Sequence, residues 1–228
     1  MPAPSQSQLT AATLASYSGG QGSPHFTEYL EKLFSSVSSA WQSWQAALTP
    51  TGILVTGSGA GTWSGVATKG KLSGPPLSPA AFSFGADSPY QKIFQQAVFD
   101  ATSSEFSAWT SSFNFTAVNY TGSSTATPAN PGSATALSLP APIGVVGSGK
   151  APSQIHDKIL SFLTPPNFDL SNKEAQAGNF AKAVASGIET TFSTWLASAL
   201  FSADEFNNAV GAGGAASELP SKQTGRIV

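Results

Sequence analysis

The fold is decided by a stretch of regularly spaced bulky side chains, residues 23–48, which read SPHFTEYLEKLFSSVSSAWQSWQAAL. The large apolar residues recur every three or four positions, which predicts one long helix with a single apolar stripe. Ser23 suits the N-cap, and Pro24 suits the first helical position, where its missing N–H costs nothing. The predicted stripe consists of Phe26, Tyr29, Leu30, Leu33, Phe34, Val37, Trp41, Trp44 and Leu48.

The same design returns further along the chain in one ungapped register, which indicates a duplicated unit. Each copy begins with Ser-Pro, carries a tryptophan near the end of its helix and continues into Thr-Gly-Ser. A third, diverged copy is indicated more weakly by Phe192-Ser-Thr-Trp195, which resembles Phe106-Ser-Ala-Trp109. The matched segments are Ser23–Pro24 with Ser88–Pro89, Trp44 with Trp109, and Thr56–Ser58 with Thr121–Ser123.

Each predicted helix is followed by alternating, β-branched sequence, at residues 51–56 and 115–120. After the first of these, the glycine-rich residues 57–61 can turn the chain so that residues 62–68 return as a hairpin partner. These patterns predict an α+β fold of two tandem helix-plus-β-hairpin repeats, followed by a helical C-terminal region and flanked by extended terminal arms.

The predicted organisation has five segments, and its two ends carry too few large apolar groups to fold alone. In the C-terminal region, Ser153 can cap a short helix, and Ser171 with Glu174 has the spacing of a capping box that opens a helix to about residue 200. The segments are an extended N-terminal arm at 1–22, repeat 1 at 23–87, repeat 2 with a Pro/Gly-rich linker at 88–152, the helical region at 153–201, and an extended C-terminal arm at 202–228.

Charge and composition narrow the classes of function. Charged residues make up 10% of the chain, its formal net charge is −2, and it has 2 histidines and no cysteine. Such a chain offers no basic face for nucleic acid or for an anionic membrane surface, and no thiol or disulfide chemistry. The sequence has neither a spanning apolar run nor a signal-peptide pattern at its start, so we expect a soluble chain that is made in a cytoplasm and not secreted by a signal peptide.

The nearest approach to a catalytic motif is Gly144–Ala151, which resembles a phosphate-binding loop around Lys150. Ala151 stands where that loop needs a Ser or Thr hydroxyl for magnesium, and the next predicted helix starts too late, which favours a linker. Glu28 and Lys32 are spaced as an ordinary helical ion pair. Neither His25 nor His156 has ligand-spaced companions, and the sequence therefore predicts no catalytic, cofactor-binding or metal-binding residue and no cofactor.

The tryptophans are the candidate residues that remain, namely Trp41, Trp44, Trp63, Trp109 and Trp195. Four of them fall on predicted helical stripes, which favours core packing, while burial against a neighbouring subunit is the alternative. Trp63, among polar predicted strands, leaves open a carbohydrate- or surface-binding module. A nucleotide-binding enzyme based on the Lys150 loop is the remote alternative.

The chain resembles structural proteins of tailed bacteriophages and related contractile particles. The resemblance lies in its cysteine-free Ala/Ser/Gly-rich helices, in the Thr/Gly-rich stretch Val55–Gly61, and in the C-terminal segments 159–163, 170–171 and 183–188. It implies a non-enzymatic virion subunit of the neck, tail, baseplate or capsid surface, assembled in the host cytoplasm. The implied partners are copies of the chain itself and other structural subunits, without nucleic acid or membrane.

Overall fold

The structure is a computed structural model, and it describes part of the chain. The described residues are 2–17, 24–51, 54–58, 62–68, 71–78, 88–115, 118–124, 135–138, 143–144, 147–149, 151–163, 174–209 and 223–227. Within them, side chains are described for residues 2–17, 25–49, 71–78, 88–114, 149, 151–163 and 178–199.

Helices dominate the part of the chain whose side chains are described. There, 78% of the residues are helical, in five helices, and the one whole strand is Lys71–Ser73. The helices are α1 (Gln6–Ser16), α2 (Pro24–Ala47), α3 (Pro89–Ser112), α4 (Ile155–Phe162) and α5 (Glu174–Ser198).

Strands are assigned to the backbone of the segments between and after the helices. Antiparallel pairing of Thr49 with Ser73 brings β1 (Thr49–Thr51) against β4 (Lys71–Ser73). Leu72 of β4 is buried in the core. The strands are β1 (Thr49–Thr51), β2 (Leu54–Ser58), β3 (Thr62–Thr68), β4 (Lys71–Ser73), β5 (Asn114–Phe115), β6 (Val118–Ser124), β7 (Thr135–Ser138), β8 (Ile143–Gly144), β9 (Gly147–Ser148), β10 (Leu200–Ala209) and β11 (Gln223–Ile227).

The two long helices predicted from the repeat are confirmed. Both α2 and α3 contain 24 residues and begin at the proline of the Ser-Pro pair. In α3, the Ser88 side chain accepts the N–H of Gln91, as a serine N-cap should. Helix α2 ends just before Leu48, whose side chain is fully buried.

The long helices α2, α3 and α5 run in the same direction. Near their starts, Phe180 of α5 lies 5.3 Å from Phe26 and 4.9 Å from Phe94 between ring centroids. Near their ends, Trp195 of α5 lies 6.0 Å from Trp44. Because a helix of this length spans about 36 Å, the chain must travel that distance back between consecutive helices. The long connections of the sequence serve this return.

The prediction of an extended N-terminal arm is wrong. Ser5 caps α1 in a capping box with Gln8, and this helix packs against α5 with Leu9 and Thr13 buried. The helix has few large apolar residues, so its burial depends on close approach of small ones to the α5 backbone. The predicted C-terminal arm, 202–228, lies outside the described side chains.

The prediction of an α+β fold made of two helix-plus-hairpin modules is also wrong. The apolar stripes of α2, α3 and α5 pack against one another in a single core, which also takes in Leu72 of β4, Leu77 and residues of α1 and α4. That core draws on the predicted segments 1–22, 23–87, 88–152 and 153–201 together. The duplicated helices therefore complete each other's packing, which leaves no self-contained repeat module in the described core.

Among the residues that the structure describes, no helix combines the length and apolar character needed to cross a bilayer.

Candidate functional site

Three pairs of aromatic residues, one from each long helix, meet at one level of the bundle. The members of each pair are three residues apart, so they lie on the same face of their helix. All six side chains are buried, with at most 2% of their surface exposed. We call this group the aromatic cluster; it consists of Trp41 and Trp44 of α2, Phe106 and Trp109 of α3, and Phe192 and Trp195 of α5.

Ring contacts connect the three helices through this cluster. Trp41 lies edge-on to Phe106 at a centroid distance of 4.6 Å, and Trp109 lies edge-on to Phe192 at 5.2 Å. Phe106 and Phe192 are themselves 4.9 Å apart. Edge-to-face pairs of this kind contribute about 0.5–1.5 kcal/mol each beyond the burial of their area. The cluster therefore locks the relative positions of α2, α3 and α5.

One polar contact enters the cluster. The indole N–H of Trp195 donates to Oε1 of Gln45, 3.0 Å away, and Gln45 is buried. The indole nitrogens of Trp41, Trp44 and Trp109 are buried with no hydrogen-bond partner. Among the four tryptophans of the cluster, Trp195 is therefore the one whose N–H makes a specific hydrogen bond as well as apolar contacts.

A second polar group lies at the start of α4, which has no side-chain cap of its own. Its N-cap residue, Gln154, makes no side-chain capping bond. Two carboxylates from other helices bond here: Glu189 of α5 accepts the N–H of Ile155, the first residue of α4, at 3.1 Å, and Glu105 of α3 accepts the N–H of Ser153, just before the N-cap, at 3.2 Å. Negative charge at a helix N-terminus is stabilising because the free N–H groups concentrate positive partial charge there.

Lys158 of α4 completes this arrangement. Its Nζ lies 2.8 Å from Oε1 of Glu105 and donates to the hydroxyl of Ser104 at 2.7 Å. The side chain of Glu105 is 4% exposed and that of Lys158 is 29% exposed. We call Glu105, Glu189 and Lys158 the α4 clamp, because together they join this short helix to α3 and α5.

The two carboxylates of the clamp differ in their electrostatic surroundings. Burial raises the pKa of Glu105, but the hydrogen bond and charge of Lys158 and the N–H of Ser153 outweigh it, so the pKa lies below the ordinary value of 4.5. Burial raises the pKa of Glu189 above that value, and the neighbouring charge of Glu105 adds to this rise against the N–H of Ile155. Glu189 therefore takes up a proton before Glu105 does.

The structure buries four of the five candidate tryptophans and does not describe the side chain of the fifth. Trp41, Trp44, Trp109 and Trp195 come together inside the chain's own core, where none of their rings is free to contact a neighbour. Trp63 belongs to β3, and its side chain lies outside the described residues. Of the loop at 144–151, the structure describes residues 144, 147–149 and 151. Lys150 is not among the described residues.

The titratable residues considered in the sequence do not converge on one site. On α2, Glu28 lies 3.8 Å from both Lys32 and His25, all at the surface. His156 contacts its neighbour Asp157 at 3.0 Å. Within the described part of the chain, no three His, Asp or Glu side chains gather as metal ligands would.

Sequence reasoning missed Glu105, Glu189 and Gln45. Each lies on or beside an apolar stripe of its helix. A polar residue at such a position could have predicted a buried hydrogen-bond partner. The identity of the partners could not be read from spacing, because Glu105 is 48 residues from Ser153 and Glu189 is 34 residues from Ile155.

Comparison with protein-family models, curated proteins and solved structures finds no significant match to the chain.

Proposed function

We propose that the chain is a non-enzymatic structural subunit of a multi-subunit particle, and that the particle is a phage virion. The observation that carries the proposal is the outer surface of the bundle beside the aromatic cluster. The later parts of the three long helices, residues 33–47, 106–112 and 190–198, contain no charged residue. Apart from Glu105 and Glu189 of the α4 clamp, the charges of these helices lie nearer their starts.

Hydroxyl side chains occupy most of the exposed positions of these uncharged helix segments, and four of them bond to the preceding turn of their own helix. Each donates to the carbonyl four residues earlier at 2.8–3.1 Å. We call the four exposed donors the hydroxyl belt; they are Ser43 of α2, Ser111 of α3, and Ser193 and Thr194 of α5.

The belt suits contact with another protein for an energetic reason. Burying a charge or an unpaired donor costs free energy, whereas a hydroxyl that already donates within its helix needs no new acceptor. Small side chains also allow a neighbouring backbone to approach closely and lose little rotamer entropy. A subunit that is repeated many times in a particle is well served by a rigid interior and by an uncharged surface that its neighbours can approach closely.

The resemblance of the sequence to tailed-phage structural proteins supports the virion as this particle. It favours a place in the neck, tail, baseplate or capsid surface, with copies of the chain and other structural subunits as neighbours. The buried position of the four core tryptophans means that such contacts are made by the belt rather than by those rings.

Sizing and electron microscopy of the purified full-length chain test the proposal. We expect rings, tubes or other ordered oligomers whose abundance rises with concentration, and no co-purifying small molecule in native mass spectrometry. A chain that stays monomeric at every concentration and carries a bound carbohydrate or nucleotide would contradict it.

A further inference from the structure

The short helix α4 depends on the rest of the protein for its existence. Its eight residues are fewer than the roughly 12–15 that an isolated helix needs in water. It lacks a cap of its own: Glu189 accepts the N–H of its first residue, Ile155, and Glu105 accepts the N–H of Ser153, just before the N-cap. Its buried residues, Ile155 and Ile159, need the bundle as a surface.

The three long helices also contact one another directly, without α4. The aromatic cluster joins α2, α3 and α5 without any ring from α4. On its far side, α1 packs on α2 and α5. These ring contacts are separate from the α4 clamp, which holds residues 151–163 to α3 and α5.

We propose that residues 151–163 form an acid-sensitive latch, which docks on α3 and α5 through the α4 clamp and opens as a unit while the three long helices stay packed. This proposal is independent of the chain's role in a particle, since it concerns one protein molecule.

Glu105 is the residue that controls the latch. It joins two parts of the segment at once, the backbone at Ser153 and the side chain of Lys158. In the described structure, the charged groups facing Glu105 are Lys158 from α4 and Glu189 from α5, and those facing Glu189 further include His156 and Asp157. Protonation of Glu105 removes the negative partner of Lys158 and leaves that cation against a neutral acid.

The sign of the pH effect follows from the clamp. A carboxylate whose pKa is lowered by folding stabilises the folded state fully at pH values above its ordinary pKa of 4.5. This stabilisation is lost as the pH falls through the lowered pKa. The earlier protonation of Glu189 acts in the opposite direction, because it relieves the repulsion from Glu105. The latch therefore stays closed under mild acid and opens once Glu105 is protonated.

Hydrogen exchange of the full-length chain, read by mass spectrometry, tests the latch. Glu105→Gln keeps the size of the side chain and removes its charge, and Glu189→Gln is the matched control on the other side of the clamp. We expect Glu105→Gln to speed exchange of the amides of residues 155–163 about tenfold or more at neutral pH, since a charge-assisted hydrogen bond contributes about 1.5–3 kcal/mol. Exchange in residues 98–109 and 184–195 should stay unchanged, and Glu189→Gln should have a much smaller effect on α4.

The wild-type chain supplies a second measurement that does not rely on a variant. After correction for intrinsic rates, acidification below pH 4.5 should release the α4 amides before those of α3 and α5. Unchanged α4 exchange in Glu105→Gln, or loss of protection in α4, α3 and α5 together on acidification, would overturn the proposal.

Discussion

Gly187 of α5 lies directly against Thr13 of α1. A Cβ added at residue 187 would fall 2.9 Å from the backbone nitrogen of Thr13 and would collide with its Oγ1. Glycine is required here because the two helix backbones approach too closely for any side chain. The contact explains how α1, with so few large apolar residues, is held on the bundle.

Gly187→Ala should therefore destabilise the protein. Overpacking against backbone atoms costs about 1–3 kcal/mol, which exceeds the gain of up to about 1 kcal/mol from better helix propensity. We expect a lower urea midpoint and faster proteolysis of residues 6–16.

Gly178, on the same helix, provides the matched control. Nothing lies within 4 Å of a Cβ added there. Gly178→Ala should raise the free energy of unfolding by up to about 1 kcal/mol. Equal effects of the two substitutions would show that α1 does not pack on α5 as described.

Trp195→Phe should cost more than Trp41→Phe, although both remove the same atoms from fully buried sites. Trp195→Phe also removes the N–H that Gln45 accepts, whereas the N–H of Trp41 has no hydrogen-bond partner. The difference should be about 1–2 kcal/mol in the free energy of unfolding by urea, the magnitude of one buried hydrogen bond. A larger loss in Trp41→Phe would contradict the assignment of the bond.

Glu189→Gln should change how stability depends on pH. The pKa of Glu189 is raised by folding, so the folded chain takes up this proton more readily and gains stability as the pH falls through the raised value. The variant lacks that gain. Between neutral pH and pH 5, its urea midpoint should therefore fall more steeply than that of the wild type, and a less steep fall would contradict the description of the clamp.

The long helices could be predicted from the sequence because their signals are local. Helix α3 begins at Pro89 after the N-cap Ser88, as predicted, and its apolar stripe determines which face is buried. The extent of the packed core could not be predicted in this way. The repeat predicts two helix-plus-hairpin units, whereas the stripes of α2 and α3 pack on each other and on α5.

The parts of the fold that the sequence analysis does not predict correctly have weaker or non-local sequence signals. Helix α1 does carry one, the capping-box spacing of Ser5 and Gln8, but its polar composition favoured an arm. For α4, Ser153 was the expected cap, and the observed one is Gln154 without a side-chain bond. The first N–H of α4 is instead accepted by Glu189 of α5, a contact that depends on tertiary structure and cannot be read from residue spacing.

The hydroxyl belt leads to a prediction about assembly. Ser193→Arg places a charge on the belt without touching the core, and an arginine buried in an interface without a partner is strongly unfavourable. Glu31→Arg is the matched control, since it lies on the exposed, charged part of α2. Both variants should keep the thermal stability of the wild type.

Sedimentation velocity of these proteins over a wide range of concentration tests the central claim most directly. The wild type and Glu31→Arg should shift to large species as concentration rises, while Ser193→Arg remains a folded monomer. A wild-type chain that sediments as a monomer throughout, or a Ser193→Arg variant that assembles like the wild type, would contradict a particle subunit that packs through the belt.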